Sequence, residues 1–351
     1  MTIPLHPPGT GPDSYLRDAV AGPLRHASDL DLLLLGGQRR WTDALLSEAR
    51  GHLAGCLNAV ELALGMAMGD NWLARPVEAL GPGYCRAAVE RHPAIVSPML
   101  VDHVRQRAAA ALVQRIGLTP PEIAAKEAAP APDVPDVVAN ALAALRLSVA
   151  PWFQPHPVNR PMRADLSAEP YCDLVWTATA LLVEGLSARM GVEADAATPV
   201  LSRAAMSLIG RHDEQLGPFA HAAYVATLVR GGPDMAALAQ ESALRHDLLL
   251  LAALSGVGGA MGLDHALGLW IDGDSDDRAA LARLLGIDDT GYLAILDALA
   301  PLHEGEGEAA LPDLLTRYRQ LTETDAAVRL ARWTGPAPLL EKLGRMERTG
   351  A

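Results

Sequence analysis

The sequence predicts an all-α protein, an irregular HEAT-like helical stack or bundle with no sheet. Three observations predict it. Apolar residues recur at intervals of three and four along most of the chain, the spacing that lines one face of a helix. No segment shows the strict two-residue alternation of a half-buried strand. Hydrophobic residues make up 50% of the chain but aromatics only 4%, with two Phe, so the core is built from Leu, Ala, Val and Met. All but Val favour helices.

The clearest period runs through residues 41–68, where Leu45, Ala49, Leu53, Cys56, Val60 and Leu64 share one face. Before it, residues 29–35 form a short leucine run that Gly36 and Gly37 terminate. After it, Asp70 or Asn71 can cap the next helix with a side-chain oxygen. A second long helix follows Pro98, with Leu100, Val104, Ala108, Ala111, Leu112 and Ile116 on its stripe, and ends at Gly117. Prolines 120, 121, 130, 132 and 135 then suit a loose connection.

At 351 residues the chain exceeds the roughly 100 to 200 residues of one usual core, so two regions are expected. The boundary falls in that proline-rich connection near residues 119–136. An N-terminal helical region covers residues 12–128, and a C-terminal multi-helix region covers residues 134–351.

The second region resumes with a helix at residues 137–149. Pro151, Pro155, Pro157 and Pro161 then force an irregular excursion through Trp152 and Phe153. Beyond Ser167, helices of ordinary length alternate with short stops, and Leu174, Ala178, Leu181 and Leu182 mark one of them. Residues 248–263 form the longest uncharged stretch. It falls short of the roughly 18 to 20 residues of a membrane helix and reads as a buried helix followed by a tight turn. No fixed internal period emerges, so regular repeats are excluded and degenerate ones are not.

Net charge −13 without a basic run disfavours a nucleic-acid partner, because a phosphate backbone attracts clustered Lys and Arg. Cys56, Cys85 and Cys172 are far apart and odd in number, which reads as buried thiols in a reducing cytoplasm rather than disulfides or a zinc site. Residues 1–15 carry neither a basic leader nor an apolar block, so no secretory signal is expected there.

Several motifs invite a chemical reading. Asp272, Asp274, Asp276 and Asp277 open like a calcium loop, but the sixth position is Asp277 instead of Gly and the twelfth is Arg283 instead of Glu. A helix stop at Gly273 and an acidic first turn after it explain the same residues. Gly256, Gly258, Gly259 and Gly262 follow a leucine-rich helix instead of a strand, so a helix hairpin is expected and not a dinucleotide loop. His212, before Asp213, Glu214 and Pro218, is similar to a phosphoacceptor histidine, and His52 is a second candidate; the plainer reading of His212 is a solvent-facing side chain beside acids. No metal-binding spacing, nucleophile elbow or Walker loop is present, and no cofactor is expected.

Residues 29–70 and 248–299 resemble a bacterial, alphaproteobacterial family of all-helical proteins, designated domain of unknown function 2336. The later stretch carries the better match. It has a leucine-rich helix, a turn, the Asp-rich break, then Leu281, Ala282, Leu284, Leu285 and Gly286 before another helix. Where members of the family carry Arg after the paired leucines, this chain has Gly286. The resemblance implies HEAT-like packing and an intracellular setting, and it implies no catalytic residues.

These observations favour a non-enzymatic helical scaffold or regulator with a protein partner. A histidine phosphorelay component using His212 or His52 is the alternative, and a helical enzyme or small-ligand binder near Trp152 is a further one. The expected contact site is the proline-rich loop with Trp152, Phe153 and Arg160, since Trp and Arg dominate interface energies and loops on rigid scaffolds often bind.

Overall fold

A computed structural model describes residues 42–115, 134–153, 161–232, 234–256, 261–302, 311–331 and 333. Among the described residues there are fifteen α-helices and no strand. The predicted long helix is α1, Asp43–Met68, which starts where Thr42 accepts a hydrogen bond from the Leu45 amide at 3.3 Å. It stops at Gly69, whose φ of 54° is a left-handed conformation that glycine reaches without a Cβ clash. Two short helices follow, α2 (Ala74–Leu80) and α3 (Tyr84–Arg91). Asn71 acts in the turn before α2, accepting from the Leu73 amide at 3.1 Å. The helix expected after Pro98 is α4, Pro98–Arg115, and the one expected beyond the connection is α5, Asp136–Val149.

The remaining helices are α6 (Ala168–Met190), α7 (Ala194–Ile209), α8 (Pro218–Val229), α9 (Asp234–Leu244), α10 (Leu248–Gly256), α11 (Leu263–Asp272), α12 (Ser275–Leu284), α13 (Asp289–Leu299), α14 (Leu311–Gln320) and α15 (Glu323–Ala331). In α10 every residue from Leu248 to Leu254 is buried, because α4, α8, α9 and α11 enclose it. A leucine run without a polar face needs such a central place.

α1 packs on α4 and α7 and also meets α3, α6 and the short turn Ala300–Leu302. α5 lies on α8, α9 on α13, and α12 on α15. Several of these pairs skip intervening helices, whereas a strict solenoid joins each unit only to its neighbours. The expected boundary at residues 119–136 falls mostly outside the described residues. Helices from both sides of it, including Leu53 and Val104 before and Leu174 and Leu251 after, share one hydrophobic cluster. None of the described helices is long and apolar enough to cross a membrane.

Candidate functional site

Among the described residues, buried polar groups gather where α1, α4 and the chain between α5 and α6 meet. His103 and Arg107 stand one turn apart on α4, so both face inward beside Val104, Ala108 and Ala111. Trp152 comes from the 3-10 turn that follows α5, and Met162 and Asp165 come from the irregular stretch leading into α6. A backbone bond from the Met162 amide to the Gly55 carbonyl, 2.9 Å, pins that stretch to α1.

Arg107 forms an ion pair with Asp165, their side chains 0% and 3% exposed. Its second amino group donates to the Met162 sulfur at 2.8 Å and to the Arg163 carbonyl at 3.3 Å, and its guanidinium lies 4.9 Å from the centre of the Trp152 ring. Trp152 Nε1 donates to the other carboxylate oxygen of Asp165 at 3.3 Å. One carboxylate thus serves a cation and an indole, and the cation lies over that indole. Phe219, at the start of α8, packs 6.1 Å from Trp152 and 4.6 Å from His103, ring centre to ring centre.

Burial, with the nearby Arg107 charge, pushes His103 down to about 4, so it is neutral at pH 7. Burial pushes the Cys56 thiol up to about 11; Arg107 opposes the rise and Asp165 adds to it. A thiol held that high stays protonated at neutral pH and is a poor nucleophile. His52, fully buried on α1, shares a 3.0 Å hydrogen bond with Glu48. For Glu48, burial acts to raise the carboxyl, but the His52 hydrogen bond and the charges of His52 and Arg115 outweigh it and hold the group below its usual value. Together these groups can neutralise and orient one another and lock three segments of chain.

The expected contact residues fare differently. Trp152 is 1% exposed, which overturns its assignment as an exposed contact. A planar donor-bearing ring beside a paired Arg and Asp can lie in the core, because its one polar atom, Nε1, has Asp165 as its acceptor. The Phe153 side chain and Arg160 lie outside the described residues. His212 is not on a helix but in the connection between α7 and α8. It stacks on Tyr171 with ring centres 3.7 Å apart, and its Nε2 is bonded to the Leu166 carbonyl at 2.8 Å. The acids beside it are spent as caps: Asp213 accepts from the Gln215 amide at 3.0 Å and Glu214 from the Ala168 amide at 2.8 Å. The phosphoacceptor-helix arrangement is therefore not formed, nor is the expected solvent-facing ring, since His212 is only partly exposed. The buried ring of His52 has no open face for phosphotransfer either.

The acidic break matches its plain reading. Gly273 ends α11, and Asp274 caps α12 by accepting from the Asp277 amide at 2.8 Å. Among the described residues no group of His, Cys, Asp and Glu could hold a metal ion. Sequence reasoning missed Arg107 and Asp165. The available signal was a charged residue on an apolar stripe, directly before four alanines.

In comparisons with known proteins, no family model, curated protein or solved structure matches this chain.

Proposed function

We infer that the chain is a non-enzymatic helical scaffold that binds another protein in a bacterial cytoplasm. The observation carrying this reading is the state of the buried cluster. Arg107 and Asp165 neutralise each other, His103 is held neutral and Cys56 is held protonated, so this buried polar cluster serves helix positions. Helical assemblies present extended faces to partners, and function then resides in the surface. The net charge of −13 supports a protein partner over a nucleic acid. Buried, unpaired Cys56 and Cys85 support a reducing compartment. The resemblance to the helical family in residues 248–299 supports the bacterial setting and the HEAT-like description of the stack.

The test is capture of the full chain from its native host, followed by reconstitution with each candidate partner purified. A saturable complex at micromolar concentration supports the scaffold reading. Failure of every purified candidate to bind rejects it. A phosphorelay role is tested separately with labelled donor kinases from the same host, where acid-labile label lost on His212→Ala replaces the scaffold reading.

A further inference from the structure

The two last described helices bury few of their own residues. In α14 only Tyr318 is buried, and in α15 only Ala326 and Leu330. In α10 seven consecutive residues are. Beside the buried side chains of α14 and α15 and the bonds of Tyr318 to the Ile287 carbonyl and of Arg283 to the Tyr318 carbonyl, several ion pairs hold the two helices. Arg329 of α15 reaches both carboxylate oxygens of Asp274, at 2.6 and 2.7 Å, and Asp277 at 2.8 Å, with Asp276 at 3.5 Å. Arg319 of α14 meets Asp289 at 2.7 Å, and Arg317 lies 4.0 Å from Asp276. Tyr318 stacks on Tyr292 with ring centres 4.1 Å apart, and Trp333 packs 5.8 Å from His265.

All four carboxylates belong to helix starts. Asp274 is the N-cap of α12, Asp276 and Asp277 are in its first turn, and Asp289 is in the first turn of α13. An acid at a helix N-terminus is stabilised by the free amides and the dipole there. These four would therefore remain favourably placed, and become hydrated, if the arginines left. Detaching α14 and α15 takes the Arg329 partner from Asp277, which is buried beneath it, but leaves that carboxylate in the first turn of α12 at the edge that α15 uncovers, in contrast to Arg107 and Asp165, which other helices enclose. It would uncover Tyr292 and the face of α12 on which α15 lies.

We propose that α14 and α15 form an ionic strap that opens from the body without unfolding it. Exposed ion pairs weaken as salt shortens the reach of their field, from about 10 Å at 0.1 M to about 3 Å at 1 M, while buried apolar contacts do not. The strap is thus a salt-sensitive cover over the α12 and α13 face. This inference stands independently of the scaffold reading.

Native-state hydrogen exchange of the full chain, read by mass spectrometry, tests it. Raising NaCl from about 0.02 to about 0.5 M should speed exchange of α14 and α15 amides about five- to tenfold and leave α1 and α10 unchanged. Arg329→Gln should give a similar acceleration at low salt and flatten most of the salt response, whereas Arg329→Lys should retain that response. Exchange of the strap at the same rate as α10 at both salt concentrations overturns the proposal. So does a loss of protection in Arg329→Gln that is equal in α1, α10 and α15.

Discussion

Replacing Asp165 with Leu should cost this protein several kcal/mol, more than any surface charge it carries. Arg107 is completely buried, and Asp165 is its one anionic partner among the contacts described. After the substitution Arg107 retains as acceptors only the Met162 sulfur and the Arg163 carbonyl, with the Trp152 ring beside it, and its Nε already has no partner among the described residues. Breaking a buried pair from one side costs about 3 to 5 kcal/mol, because a charge is stranded without water. Trp152 Nε1 also loses its acceptor, and an unsatisfied buried donor adds about 1 to 3 kcal/mol, less whatever the site recovers by relaxing. The assay is urea unfolding followed by circular dichroism, where the midpoint should fall with the slope unchanged. The double substitution Arg107→Met with Asp165→Leu should lose less than Asp165→Leu alone, since no charge remains in the core. A cost below about 1 kcal/mol for the single change, or a double variant less stable than the sum of both singles, refutes the argument.

Gly185→Ala should destabilise despite the roughly 1 kcal/mol gain in helix propensity, because the new Cβ would overlap the buried ring of Tyr84. A melting temperature lowered by the substitution, and recovered when Tyr84→Leu is added, checks this. Because His103 is lowered from 6.5 to about 4 by burial and then by Arg107, the unfolded chain binds more protons between those values. Its contribution, about 3 kcal/mol, should be present above pH 6.5 and lost as pH falls through 4; His103→Phe should flatten that part of the stability–pH curve. Thiol titration of the native protein should modify half-buried Cys172 first, while Cys56 and Cys85, buried and with raised thiol values, react only on unfolding.

Local pattern was enough to predict an all-α chain and to place several of its helices. The three- and four-residue recurrence from Leu45 to Leu64 marked α1 to within about two residues, the usual latitude at helix ends. Pro98 marked the start of α4 for a similarly local reason, since proline costs little in a first turn. Gly273 and Asp274 marked the break between α11 and α12 because a stop and a cap act within one turn of chain. The burial of Leu248 to Leu254 followed from a run with no polar face to offer water.

What local pattern could not say is which polar side chains turn inward and what they meet there. Arg105 and Arg107 are two residues apart on one helix, yet the first pairs with Asp102 and Asp272 near the surface and the second is sealed in the core. Trp152 reads as a loop aromatic until Asp165 and Arg107 are seen on either side of it. Arg329 meets acids more than fifty residues earlier in the chain, which no window of sequence contains. Helix period sets which residues share a face, and that was readable. The choice of which face is dry belongs to the packing of distant helices, since a charge can enter the core only where another segment brings its counter-charge.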